Sequence, residues 1–446
     1  MKWERVGNWC RCTVCAVVAV GIHASVSAPA QGWRLATNLT LNAGLTIKET
    51  YDNNVYILDS APAPAVVPPA GFTISERKKD SFVTSVTPAL ALNYKPCAAA
   101  ALTLSYAPEV ATYHSAHSED NVTHRGAVNL SGTIKGVSYE SLNSVIWIDG
   151  SDLGPVTIRP GDCRAIGGIP LRDRRDALIF RDGLKVTVPA GKWFFRPVFS
   201  AYVHDFQTKQ FPNSAPSSYI YDNFVDRWDV NGGLDVGFEV LAKTKLVAGW
   251  RYGHQHQGRL LGATSPYSSD YQRILFGVEG TPVSWLKLGV LAGPDFRDWC
   301  GATPAAFDRN ELLWYVDATV TVLPTAGDTI ALRATRYEQP AFTSHSIYED
   351  IKYDLTWRHK LTGKWTVGAG LTVYIADWQA PVNREDLILT PSAMTSYAFN
   401  KHLTGELSWS YDRAINEVST TAAGATYADG REFTRHLVSL AFKYTF

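Results

Sequence analysis

A surplus of charge of either sign is missing from this chain. Its 446 residues carry 42 Lys and Arg against 42 Asp and Glu, for a formal net charge of +0. A nucleic-acid-binding protein shows a basic excess, so nucleic acid is excluded as a partner class. No block of like charges, heptad or multi-turn helical stripe runs through the sequence. Past the first thirty residues there is no continuous apolar run long enough for a spanning helix. No linker or shift in composition divides the remainder, so residues 31–446 are expected to form one domain. Enzyme motifs are missing as well: there is no G-x-S-x-G, no H-E-x-x-H and no phosphate loop. His204 and Asp205 are adjacent, and neighbours on a strand point to opposite faces, which is poor geometry for a hydrolase pair. His254 and His256 place two imidazoles at alternate positions, but two ligands do not complete a metal site. The expectation is a non-enzyme with no cofactor and no metal.

The N-terminus is informative. Lys2, Arg5 and Arg11 precede the apolar stretch "TVCAVVAVGIHASVSA", and "SAPA" supplies small residues for cleavage. This is the pattern of an export signal over residues 1–30. Cleavage after Ala28 would leave Pro29 first, so the bond after Ala30 is favoured. Removing Lys2, Arg5, Arg11 and Glu4 takes 42 basic residues to 39 and 42 acidic to 41, so the exported chain carries about −2.

From Gln31 onward one texture repeats. Trp365, Val367, Ala369, Leu371, Val373 and Ile375 alternate with Thr366, Gly368, Gly370, Thr372, Tyr374 and Ala376. Val230, Leu234, Val236, Phe238 and Val240 alternate with Asn231, Gly233, Asp235, Gly237 and Glu239. Such segments run roughly ten residues, the length of a tilted membrane-crossing strand. Their connections are short and long by turns: "PAGKW", "LAKTK" and "FNKHLTG" against the stretches Tyr51–Asp80, Gly150–Arg172 and Thr208–Val225. These features predict an all-β fold, an antiparallel up-and-down transmembrane β-barrel of about 18 strands, with 16 as the fallback count. A secreted β-sandwich also alternates, but a single one needs fewer strands. Aromatic residues beside the short turns (Tyr94, Trp193, Trp285, Trp357, Trp365, Phe399, Phe446) and toward the long-loop ends (Tyr252, Trp314, Tyr374, Trp378, Tyr411) suit two interfacial rings.

The polar parity carries charge: Lys185, Arg196, Asp235, Glu239, Arg251, Glu279, Asp317, Arg333, Asp350, Lys352, Asp354 and Arg358. Facing lipid near the midplane, a Lys or Arg costs about 2–4 kcal/mol. These residues are therefore expected to line a wet lumen, and a barrel of this size encloses an aqueous channel unless a plug fills it.

The last residues, "LVSLAFKYTF", place Val438, Leu440, Phe442, Tyr444 and Phe446 on one face. With the export signal and the hairpin texture, this ending resembles that of Gram-negative outer-membrane β-barrel porins. "LTLNAGLTIKETYDNNVYI" is similar to the opening strand of the poorly characterised β-barrel porins. The resemblance implies a bacterial outer-membrane location, with lipid and the barrel-assembly machinery as partners and the C-terminal strand as the insertion signal. It also implies passive diffusion of small polar solutes or ions. By analogy with the third outer loop of trimeric porins, Arg159, Asp162, Arg164 and Arg172 in the 150–172 loop would form a mixed-charge constriction. Cys163 and Cys300 fall at the long-loop end and could pair, whereas Cys97 falls in a short turn and stays free. A non-conducting conduit or scaffold for a secretion or electron-transfer partner, or a surface-loop adhesin or enzyme, remains open as an alternative, as does homo-oligomer formation.

Overall fold

The computed structural model describes residues 32–55, 80–97, 99–150, 176–207, 225–259, 263–341, 345–380, 383–418 and 433–446. The export signal expected over residues 1–30, Cys163 and the constriction candidates Arg159, Asp162, Arg164 and Arg172 lie outside them.

The chain runs through β1 (Trp33–Ala36), β2 (Leu39–Asp52), β3 (Ser81–Cys97), β4 (Ala100–Tyr106), β5 (Glu109–Tyr113), β6 (Asn121–Ile134) and β7 (Val137–Asp149). It continues through β8 (Ala177–Ala190), β9 (Trp193–Phe206), β10 (Arg227–Leu241), β11 (Thr244–Gln257), β12 (Ser269–Val283) and β13 (Leu286–Trp299). The last seven are β14 (Leu313–Val322), β15 (Asp328–Pro340), β16 (Ile347–Lys360), β17 (Trp365–Trp378), β18 (Arg384–Ala398), β19 (Leu403–Val418) and β20 (Phe433–Thr445). All belong to one antiparallel sheet in which β20 returns to pair with β2, from Gly44↔Thr445 to Asp52↔Leu437. β4 and β5 occupy one strand position between β3 and β6, interrupted at Pro108, whose ring has no N–H to donate. β1 pairs with the start of β2 on the edge that β20 uses further along, so it prolongs the β20 position rather than adding one. The barrel therefore has 18 strand positions and is closed.

Short turns close one end. Between the paired residues Ile134 and Val137, Lys135 and Gly136 both adopt positive φ, 50° and 85°. That is the two-residue hairpin turn whose twist matches the flanking strands, and glycine at its second position takes the left-handed conformation without strain.

The barrel is inside-out relative to a soluble domain. On β20 the side chains of Val438, Leu440, Phe442 and Tyr444, with Phe446 beyond, are 41–47% exposed on the outer face, while Ala441 between them is buried. The same parity exposes Leu246, Trp250 and Tyr252 on β11 and Tyr353, Leu355 and Trp357 on β16. Polar residues such as Asp235, Arg251, Arg273 and Asp295 are buried on the inner face. An apolar exterior over a charged interior fits hydrocarbon outside and water inside.

Two expected ring members depart from that pattern. Tyr374 and Trp378 sit on the inward parity of β17; Trp378 is buried, stacks on Tyr348 at 4.6 Å and donates its indole N–H to Asp386 Oδ2 at 2.9 Å. They furnish the inner wall rather than the outer aromatic ring.

The closing seam is held by more than the ladder. Thr50 and Ser439 share a hydroxyl hydrogen bond of 2.8 Å, Arg435 clasps Asp52, and Phe446 donates its backbone N–H to Ala43 O at 3.0 Å. The Phe446 ring lies 6.1 Å from that of Trp33. Deleting Phe446 removes this last contact and the terminal aromatic of the outer face. The expected outcome is a severalfold drop in heat-modifiable, folded barrel in the outer-membrane fraction, with unchanged conductance for the molecules that do assemble.

Candidate functional site

The inner wall is where the charged side chains meet. Lys185, Arg196, Asp235, Arg251, Glu279 and Asp317, from β8 to β14, line a single cavity of about 350 Å³ together with Arg273 and Tyr315. Pairing across the sheet brings them together: Arg196 is the register partner of Asp235, and Arg251 that of Arg273. Arg196 donates from Nε to Asp235 Oδ2 at 2.9 Å and from its NH1 nitrogen to Glu279 Oε2 at 2.9 Å. Arg251 reaches Asp235 Oδ1 at 2.7 Å. The result is a continuous Glu279–Arg196–Asp235–Arg251 chain in which each charge has an opposite neighbour.

The remaining sequence candidates lie elsewhere. On β16, Lys352 pairs with Asp354 at 3.0 Å, and Asp354 also accepts from Thr372 Oγ1 at 2.8 Å. Arg333 is the register partner of Asp354. Asp350 accepts from Gln339 Nε2 at 2.5 Å and from the Tyr374 hydroxyl at 3.4 Å. Arg358 faces small side chains, among them Gly368, Gly370, Ser392, Ser408 and Ser439. Glu239 lies at the short-turn end, where its backbone N–H donates to Lys192 O at 2.8 Å.

A second charged chain, missing from the sequence expectations, runs further toward the long-loop end. Arg273 Nε lies 2.8 Å from Asp295 Oδ2, Arg297 donates to the same oxygen at 3.1 Å, and Arg297 Nε is 3.7 Å from Glu338 Oε2. The Arg273 and Arg297 guanidinium groups lie over the Tyr271 ring at 4.1 and 5.1 Å, and Arg273 also covers Tyr315 at 4.4 Å. Gly253, register partner of Tyr271, makes room for that ring; a Cβ there would come within 2.6 Å of its hydroxyl. Period-2 parity could have found Arg273, Asp295 and Arg297, since Arg273 shares a face with Glu279 on β12 and Arg297 continues the face of Asp295 on β13. Glu338 lies on the opposite parity of β15 from Arg333 and carries no such signal.

This chain crosses the lumen. β11 approaches β15 although β12, β13 and β14 separate them in the sheet. Arg227 on β10 donates to Pro340 O at 2.6 Å; Gln255 and Gln257 on β11 donate to Glu338 O at 3.2 Å and Ala341 O at 2.6 Å. Arg297 bridges the two sides, donating to Gln255 Oε1 at 2.6 Å and Glu338 O at 3.1 Å. Above the bridge, Tyr267, Trp299, Phe307, Ile347 and Ala380 form a buried cluster, with Trp299 and Phe307 edge-on at 5.1 Å. Burial pushes the Tyr267 hydroxyl up to about 12, and its proton is donated to Ala380 O at 3.3 Å. His345 spans the same roof, with its Nε2 3.2 Å from Gly258 O. Aromatic packing and cross-lumen hydrogen bonds thus roof the mouth over β11–β17.

The fold and this wall define a closed antiparallel β-barrel of the kind that crosses membranes with strands. No protein-family model matches the chain, and no curated protein matches it. Among solved structures it is similar to the siderophore receptor PiuA from Acinetobacter baumannii, at 10% identity over 92% of this chain and 82% of that one, with a TM-score of 0.42. It is also similar to the outer membrane protein opdK from Pseudomonas aeruginosa, at 9% identity over 91% and 99% of the two chains, with a TM-score of 0.40. OccK11 (OpdR) from the same organism matches at 10% identity over 91% and 96%, again with a TM-score of 0.40. Likenesses this distant carry neither substrate nor partner across.

Arg297 and its partners Asp295 and Glu338 are almost wholly buried. Replacing Arg297 by Met leaves the Glu338 carboxylate buried without its cation, while Asp295 keeps Arg273 at 2.8 Å, at an expected cost of about 3–5 kcal/mol. Urea unfolding in lipid vesicles should show that loss, and part of it should return when Glu338→Gln is added, whereas Asp295→Asn should deepen it by leaving Arg273 without its carboxylate.

A second expectation concerns pH. Burial holds the His345 imidazole below its ordinary value, against the opposing pull of its bond to Gly258 O. With the roof open, the imidazole regains that ordinary value, so the open form binds the proton better. The roof is at full strength above the ordinary histidine range and weakens as pH falls through it toward the depressed value. Single-channel conductance should rise with acidification across that range, and His345→Gln should abolish the dependence.

Proposed function

We propose that the chain is an outer-membrane channel through which small polar solutes or ions diffuse passively. Outer-membrane lipid surrounds the barrel, and the barrel-assembly machinery inserts it. The observation that carries this reading is the inner wall itself: the Glu279–Arg196–Asp235–Arg251 chain beside Lys185 and Asp317 around a cavity of about 350 Å³. Closely paired charges of both signs hold water and weakly attract solutes of either sign, which suits permeation by size and local field rather than tight binding. The charges interact with passing solutes and not with a reacting group, so no covalent step is assigned to them. Among the described residues, the roof over β11–β17 narrows the outer mouth on that side of the barrel.

Purified barrel reconstituted in planar bilayers should give discrete conductance steps. Under a salt gradient, Glu279→Gln and Asp317→Asn should each move the reversal potential toward anion preference, and Arg196→Gln toward cation preference. A folded barrel that opens no pore would transfer support to the scaffold reading, in which the same wall grips a partner.

A further inference from the structure

The outer face of the barrel is largely apolar, and at its long-loop rim it carries a group of ligating side chains from neighbouring strands. His254 on β11 and Asp270 on β12 are register partners and share the outward face with Trp250, Tyr252 and Ile274. The ladder between β12 and β13 pairs Asp270 with Asp298 and continues one step through the Cys300 N–H, which donates to Ser268 O at 2.9 Å. Cys300 follows Asp298 by two residues and so returns to the same outward face. Sheet register alone therefore gathers an imidazole, a carboxylate and a thiol. One ligand atom from each of His254, Asp270 and Cys300 lies within 4.8 Å of the other two, the one such three-residue group among the described residues.

We infer that His254, Asp270 and Cys300 form a zinc site on the outer rim of the barrel, independent of whether the lumen conducts. The donor set selects the metal. Calcium and magnesium are held by oxygen ligands alone, whereas a mixed nitrogen, oxygen and sulfur set suits zinc. Tetrahedral zinc, with bonds of about 2.0–2.3 Å, sets its ligand atoms roughly 3.3–3.8 Å apart, within reach of small side-chain rotations from the observed spacing. His254 Nδ1 now lies 2.8 Å from Asp270 Oδ1, a contact that orients the imidazole toward the carboxylate and that zinc would replace by binding between them. Trp228 packs its indole against both His254 and His256, with centroids 5.1 and 5.4 Å away, and limits how the His254 ring turns. Asp298 adds a further negative charge beside the thiol without being required as a ligand. Three protein ligands leave the fourth position to water. The site lies beyond Trp250 and Tyr252 on the loop side, where a cation arrives from water rather than through hydrocarbon.

The test uses the full barrel, extracted in detergent with its thiols protected from air, and cobalt(II) as a spectroscopic stand-in for zinc. One equivalent should bind and give a thiolate-to-cobalt charge-transfer band together with the intense visible bands of a tetrahedral ion, and zinc should displace it. Cys300→Ser should abolish the charge-transfer band and weaken binding by at least about tenfold, as should His254→Ala, while Cys97→Ser changes nothing. Heat-modifiability on gels confirms that each variant is folded. The inference is overturned if cobalt fails to bind at micromolar concentrations, or if its spectrum survives Cys300→Ser. It is equally overturned if mass mapping of freshly extracted, alkylated protein finds Cys300 joined to Cys163 in a disulfide.

Discussion

The pairing of β20 with β2 is the interaction on which the rest of this molecule depends. A strand in hydrocarbon cannot leave its N–H and C=O groups to water, and each unpaired group costs several kcal/mol. An open sheet of this size would present two unpaired edges. Closure removes both, and it is made by the residues from Leu437 to Thr445 that end the chain. The seam is reinforced on its wet side by Arg435 with Asp52 and by Thr50 with Ser439, so polar side chains hold the inner face while apolar ones meet lipid.

Closure also fixes the sense of every side chain. Once the ladder is registered, alternate residues face water or lipid, and a shift of one position would turn Arg196 and Asp235 outward together. That coupling keeps register partners such as Arg196 and Asp235 on one face, where they can pair. The two charged chains are nonetheless physically different. Around Arg196 the Glu279 partner is partly exposed to the lumen and water screens that pair, while Asp235 is buried. Around Arg297 the wall is dry, and the guanidinium relies on Asp295, Glu338, two carbonyl-type acceptors and the Tyr271 ring. The first chain keeps a water-facing carboxylate; the second is architecture.

Alternation made the barrel, its strand count and its closing strand legible in the sequence, because period 2 is a direct consequence of strand geometry. It made the Arg196 group legible for the same reason, since parity assigns a face without further information. Tyr374 and Trp378 were misassigned to the outer ring because proximity to a long loop was weighed above parity, although both share the inward face with Thr372 and Ala376. Pro108 and the short β1 alter strand bookkeeping at single points that hydrophobic pattern does not register. The cross-lumen bonds from Arg227, Gln255 and Gln257 were not legible at all. They depend on the shape of the barrel's cross-section, which no local pattern encodes. The rim cluster was half legible: His254 and His256 announce themselves, but Asp270 and Cys300 join only through the registers of β11 with β12 and β12 with β13.

The roof shows why such a cross-section is worth having. A circular barrel keeps β11 and β15 apart across a water-filled lumen, and amide side chains there would bond to solvent. Here they bond to backbone carbonyls at the end of β15, beyond the point where its ladder with β14 stops at Val316↔Arg336. Those carbonyls would otherwise face the mouth unpaired, so the pinch satisfies both sides at once. It also forms a floor on which Tyr267, Trp299, Phe307 and Ile347 can pack away from water, giving these loops a small core of their own. The contact of β11 with the end of β15 thus goes with ordered loops over this part of the mouth. The charged cavity at Arg196 lies lower, on the short-turn side of this pinch, so the glutamine-to-carbonyl bonds and the Arg196 group occupy different levels of the same wall.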